Sequence, residues 1–203
     1  MVKNVGTNIA NSVEQYLKAN GFEDQVKEFS WEFNLVKNEQ VNAWCMPGGK
    51  VVFYKGIMPI CEDKNGVAAV MGHEIAHAVA RHGNERMSQM LAAQMGGIAL
   101  SVALSKKSEE TQQLFMAAYG VGAQVGFMLP YSRLHESEAD KMGLIFMAMA
   151  GYDPHEAVDF WQRMDQQPGK SPPEFLSTHP ANKTRIEDLK AYMPEAMEYY
   201  KGN

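Results

Sequence analysis

The chain has 203 residues, 45% apolar and 21% charged, which is ordinary globular usage and excludes a disordered tail, a collagen-like repeat and a disulfide-dense mini-protein. A net charge of −5, with no run rich in Lys and Arg, leaves no electrostatic footprint for nucleic acid. In chain order, residues 3–20 read as a helix, with Val5, Ile9, Val13 and Leu17 at helical spacing and Asn20-Gly21 as its stop. Residues 26–36 place Val26, Phe29, Trp31, Phe33 and Leu35 in a near-alternation that predicts a strand. Two further strands are predicted over 40–46 and 50–54, joined by the turn Pro47-Gly48-Gly49. A short helix or covering segment is expected over 57–62, then a long helix from Asn65 or Gly66 to beyond Arg81.

Two stretches without charge follow, 87–105 and 111–132, each near the length of a membrane span but carrying Gln, Ser and several Gly. They read as a buried or surface-covering helical hairpin with 106–110 as its solvated tip, and contact of 87–132 with a membrane surface is the other reading. Pro130 is expected to break this segment. Helices over 132–150, from the Asp153-Pro154 cap to Met164, and over 182–192 complete the chain, with a polar loop at 166–173. No repeat or linker separates domains. Residues 1–203 therefore read as one α+β domain, predominantly helical, with a small N-terminal sheet and the hairpin 87–132 inserted. Cys45 and Cys61 match no zinc ribbon or redox motif, and either close a disulfide or sit as two buried thiols.

The informative stretch runs from Val67 to Ala80. Its fourteen residues contain three polar side chains, His73, Glu74 and His77. The other eleven cover every face of a helix, so this helix should be buried. Burying those three groups without partners would cost several kcal/mol. His73 and His77, four apart, project about 40° from each other and can reach one ion. Glu74 flanks them, placed to hold a water rather than to ligate. This is the H-E-x-x-H pattern of zinc hydrolases; the competing reading is two satisfied core histidines with a buried ion pair. A catalytic zinc needs a third protein ligand. Within Ser132-Arg133-Leu134-His135-Glu136-Ser137-Glu138-Ala139-Asp140, Glu136 and Asp140 share a helix face. One can ligate while the other accepts an N–H from a ligand histidine; Glu138 faces the opposite way.

With these residues in view, the chain resembles the M48 metallopeptidases. The H-E-x-x-H helix is followed about 60 residues later by the Ser-Arg-x-x-Glu-x-x-Ala-Asp pattern of 132–140. Asn42-Ala43 ahead of Pro47-Gly48-Gly49-Lys50 resembles the family's strand and turn. Ser177-Thr178-His179-Pro180, then Arg185-Ile186, resembles its C-terminal Thr-His-Pro segment. The resemblance covers about residues 40–190. It implies a gluzincin-like zincin fold, with the small sheet packed on the H-E-x-x-H helix. It also implies one Zn2+ per chain held by His73, His77 and Glu136, with Glu74 as general base and Asp140 bonded to a ligand histidine. His179 and Arg185 match positions facing the metal and the developing oxyanion. In some relatives the matching histidine instead fills the open zinc position and holds the enzyme inactive. His82, His135 and His155 match nothing functional. The want of strongly apolar spans points to the soluble bacterial envelope branch, hence to the periplasm or cell envelope with an export signal trimmed, rather than the cytoplasm.

The implied chemistry is peptide hydrolysis. Zinc lowers the pKa of its water, Glu74 takes and returns the proton, and Arg185 or His179 meets the oxyanion. The strand at Asn42, Ala43 and Trp44 could offer its edge to an extended substrate backbone, which suits unfolded or misassembled proteins in envelope quality control. The alternative from another class is a zinc-containing chaperone or binding module kept proteolytically shut.

Overall fold

The computed structural model describes residues 1–167, 175–176, 179 and 183–202. Most of the expected loop 166–173, and Ser177, Thr178 and Pro180 of the Thr-His-Pro segment, lie outside the described residues. Among the described residues the structure is mostly helical with one three-stranded sheet, the α+β arrangement expected from the sequence. The described chain divides into two compact units, residues 1–80 with 137–203, and residues 81–136.

In the first unit, helix α1 (Val2–Ala19) buries Val5, Ile9, Val13 and Leu17 at the spacing read from the sequence. A single turn, α2 (Glu23–Val26), follows, and β1 covers only Glu32–Val36. The strand expected from residue 26 is therefore shorter. Phe29, Trp31 and Phe33 stack on each other, at centroid distances of 4.6 and 6.4 Å, and register with β3 begins at Glu32, with Ser30 N–H donating to the Gly48 carbonyl just ahead of it. Strands β2 (Ala43–Met46) and β3 (Lys50–Tyr54) pair antiparallel around the Pro47-Gly48-Gly49 turn, while β1 pairs parallel to β3. The order β1-β3-β2 leaves β2 at an edge.

A 3-10 turn (Lys55–Ile57) and helix α3 (Met58–Cys61) lead to α4 (Lys64–Val79). Asp63 caps α4, accepting from the backbone N–H groups of Asn65 and Gly66 at 2.7 and 3.1 Å. Val67, Ala68, Met71, Ile75 and Ala76 are fully buried on all sides of this helix, between α1, the sheet, α3 and α8 (His155–Asp165). The helix stops at Val79 and not beyond Arg81, because Arg81 adopts a left-handed φ of 58°. Both cysteines are free thiols, so the disulfide alternative falls. Burial pushes the Cys61 thiol up to about 12 and raises that of Cys45.

The second unit contains α5 (His82–Leu104), α6 (Glu109–Ala123), a π turn (Gln124–Met128) and the first turns of α7 (Leu129–Met149), whose remainder belongs to the first unit. Pro130 does not break the chain's helical course. It falls in the first turn of α7, where a missing N–H costs little, and the wide π turn ahead of it absorbs the change. Of the two placements expected for the hairpin, buried or surface-covering, burial is excluded: no residue between Met87 and Leu134 is buried. The last helix, α9 (Lys183–Tyr199), carries Pro194 inside it and runs past the expected end at 192.

Helices α4 and α7 approach closely where glycine meets glycine. A Cβ on Gly72 would lie 2.7 Å from the Gly143 carbonyl oxygen, and one on Gly143 would lie 2.9 Å from the His73 backbone nitrogen. Backbone cannot yield as a side chain can, so Gly143→Val should destabilise the protein by about 1–3 kcal/mol. Urea denaturation measures this, and an unchanged midpoint would show that the two helices are free to separate.

Candidate metal centre

Helix α4 delivers His73, Glu74 and His77 from one buried segment. His73 and Glu74 are almost wholly buried, and His77 is half-buried. Their helical spacing brings the Nε2 atoms of His73 and His77 to 3.1 Å. His179 enters from the C-terminal region, its backbone N–H donating to the Phe175 carbonyl at 2.9 Å and its ring 4.8 Å from that of Phe175. Its Nδ1 lies 3.1 Å from His73 Nε2, and its Nε2 lies 3.5 Å from Glu74 Oε1. Glu136 sits one turn before Asp140 on α7. The ligand atoms of His73, His77, Glu136 and His179 all lie within 4.8 Å of one another.

Asp140 sets the orientation of His73. Its Oδ1 lies 2.9 Å from His73 Nδ1, in hydrogen-bond reach, and both side chains are 3% exposed. Donation from Nδ1–H leaves Nε2 with its lone pair directed at the other two histidines. Arg185 holds Asp140 in turn, donating through Nε to Oδ2 at 2.8 Å and through Nη2 to Oδ1 at 2.6 Å. Its guanidinium carbon lies 3.4 Å from the centroid of Trp161. Burial alone would raise the Asp140 carboxyl, but the Arg185 charge and the bond to His73 hold it below the ordinary carboxylate range. Asp140 is therefore ionised at neutral pH.

The donor set suits a shared cation. Facing imidazole nitrogens 3.1 Å apart can share at most one proton, and His73 Nε2 meets two such neighbours. A tetrahedral ion with Zn–N bonds of about 2.0–2.1 Å separates its nitrogens by about 3.3–3.4 Å, close to what is found here. Three imidazoles and one carboxylate are also ligands that zinc accepts.

The other residues singled out from the sequence fall as follows. Ala43 is buried at the start of β2, Asn42 Oδ1 accepts from its N–H at 2.9 Å, and Trp44 packs edge-on to Tyr54 at 4.9 Å. Strand β2 packs on α4, and the Val41 carbonyl accepts from Phe175 N–H at 3.2 Å. Arg185, offered by the sequence as an oxyanion donor, has two of its donor atoms on Asp140, and its Nη2 also lies 3.2 Å from His73 Nδ1 and 3.3 Å from His73 Nε2. His82 and His135 stack at 4.3 Å, with His135 Nε2 2.8 Å from Glu85 Oε2. His155 lies at the start of α8 beside Asp153. Sequence reasoning missed Trp161, which shares the apolar face of α8 with Phe160 and Met164. Nothing in its spacing marks it as the surface on which Arg185 rests.

Comparison with known proteins bears on this geometry. The sequence model of the family described as "Peptidase family M48" matches residues 5–193. The "Mitochondrial metalloendopeptidase OMA1" of Schizosaccharomyces pombe is 36% identical over 173 residues, covering 84% of this chain and 49% of the relative. The human "Metalloendopeptidase OMA1, mitochondrial" is 32% identical over 179 residues, covering 85% and 34%. The "Beta-barrel assembly-enhancing protease" of Escherichia coli is 28% identical over 165 residues, covering 79% and 34%. The chain spans about half, or less, of the length of these relatives. They correct the expected location: the compartment named for the more similar of them is the mitochondrion, against the periplasm or cell envelope read from the sequence.

Removing the group that orients His73 should weaken the metal without abolishing its site. Asp140→Ala is expected to lower zinc affinity roughly 10–100-fold. Competition with a chromophoric chelator measures the affinity; a value equal to wild type would show that the Asp140–His73 contact has no part in binding.

Proposed function

Since the chain belongs to peptidase family M48, we propose that it is a zinc-dependent endopeptidase acting on unfolded or misassembled proteins in quality control. The observation that carries this reading is the convergence of the Glu136 ligand atom of α7 with those of His73 and His77 on α4, the helix that also presents Glu74. His73, His77 and Glu136 would hold the ion. When bound, zinc supplies Lewis acidity, which activates water and polarises a carbonyl.

The chain's own residues supply the rest. Glu74 accepts a proton from the attacking water at its carboxylate and delivers it to the leaving amine nitrogen. Asp140 and Arg185 keep the His73 ring in one tautomer and one orientation. The open edge of β2, at Asn42, Ala43 and Trp44, packs beside α4 and is suited to receive an extended peptide as an added strand. That mode reads backbone extension more than side-chain identity, which supports unfolded chains as substrates.

A second reading rests on His179. One of its ring nitrogens belongs to the same group of ligand atoms as the other three side chains, which makes four donors, enough to close a tetrahedral site. A resting form with His179 as the fourth donor would be proteolytically silent, as in a shut binding module, until that ring leaves.

One casein-hydrolysis assay with zinc-loaded protein tests both readings. Glu74→Gln should keep its zinc and its fold and lose at least about 10²–10⁴-fold in turnover; near wild-type turnover would contradict the mechanism. His179→Ala should raise turnover if the ring closes the site, and lower it roughly 10²–10³-fold if the ring instead meets the oxyanion.

A further inference from the structure

Arg185 holds its donors within reach of two different acceptors. Its Nη2 lies 2.6 Å from Asp140 Oδ1, and also 3.2 and 3.3 Å from Nδ1 and Nε2 of His73. A point so nearly equidistant from both nitrogens, in the plane of an imidazole, would collide with the ring carbons. Nη2 therefore stands off that plane, out of line with either lone pair. The placement matters because a guanidinium can only donate. Turned onto His73 Nε2, it would occupy the lone pair that a metal ion needs and set a positive charge against that ion. Held on Asp140, it leaves Nε2 clear and keeps the carboxylate directed at Nδ1.

The surface that fixes the guanidinium is an aromatic face. The Arg185 guanidinium carbon lies 3.4 Å from the Trp161 ring centroid, and the two residues are 6% and 3% exposed. The face of an indole is the negative region of its charge distribution, and its attraction for a cation is strongest where water is excluded. The ring has little freedom to turn away. Phe175 stacks on it at 5.5 Å and an interplanar angle of 20°, while Phe160 and His73 meet it edge-on at 5.3 and 5.8 Å. Trp161 thus combines a fixed orientation with an attraction aimed at one side of Arg185. An aliphatic side chain at 161 would fill part of the space and supply no such attraction.

We propose that Trp161 is a positioning residue for the metal centre: its ring face seats the Arg185 guanidinium on Asp140 and away from His73 Nε2, and so sets how tightly the centre holds zinc. This rests on the reading of His73, His77 and Glu136 as zinc ligands. Trp161 itself acts only through Arg185, Asp140 and His73. Turnover does not enter its test, so loss of the peptidase reading would not carry this inference with it.

Zinc affinity is measured on the full chain, without substrate, by competition with a chromophoric chelator. Trp161→Leu should bind zinc roughly 10–100-fold more weakly than wild type. That variant also loses packing, so a second series keeps the shape. Mono-, di- and trifluorotryptophan, placed at position 161 by nonsense suppression, draw charge off the ring face with almost no change of size. Affinity should fall with each added fluorine, by about 3–30-fold for the trifluoro ring, which a purely space-filling role would not produce. Where Trp161→Leu does not fold, the fluorinated series decides alone. Equal affinity across that series, or a folded Trp161→Leu protein that binds zinc as wild type does, overturns the role of Trp161 and leaves the metal centre standing. A wild type that binds no zinc overturns the metal reading, and this inference with it.

Discussion

The arrangement depends on the burial of His73 and Glu74, with His77 half-buried beside them, in a helix that is apolar on every other side. Unpaired, such groups would cost several kcal/mol each. They are tolerated because α4 is met by a chain of partners at fixed distances: His73 by Asp140 at 2.9 Å, Asp140 by Arg185 through two bonds, and Arg185 by the face of Trp161. Each group in that series is buried, so none can be removed without exposing the next. Taking away one member of such a pair typically costs about 3–5 kcal/mol. The glycine pair at 72 and 143 belongs to the same constraint, since it sets how near α7 can bring Asp140 to α4.

This chain of contacts gives the centre its chemical bias. With His73 Nδ1 committed to Asp140, its Nε2 faces the nitrogens of His77 and His179, an arrangement that is uncomfortable for neutral rings and relieved by a cation. Glu74, on the flank of the same helix, lies outside that set of ligand atoms, and the proposed mechanism uses it for proton transfer. His179 is placed between the two functions, with one nitrogen toward the ligands and the other toward Glu74. A single ring movement would therefore change both the coordination and the surroundings of the base.

Much of this was legible in the sequence because the periodicities were strong. The buried helix, its H-E-x-x-H spacing and the Glu136/Asp140 pair one turn apart are local patterns that do not need the fold. The ends of elements were less legible: α4 stops at a left-handed Arg81, and a π turn carries the helix through Pro130, neither of which leaves a pattern in composition. Long-range partners were least legible. Arg185 and Trp161 meet Asp140 and His73 only through tertiary packing, and an arginine near the C-terminus looks the same in sequence whether it faces substrate or a carboxylate. The hairpin's placement was left open for a related reason. Uncharged helices with scattered Gln, Ser and Gly suit a protein interior as well as an exposed face, and only the fold shows that they are exposed.

The measurement that bears most directly on the central claim is zinc content per chain by elemental analysis of the purified protein and two neighbouring carboxylate variants. The wild type should carry about one zinc, Glu136→Ala should lose most of it, and Glu138→Ala should retain it. Equal zinc in the two variants would contradict the assignment of Glu136, and a wild type that takes up no zinc when it is supplied would contradict the metal centre itself.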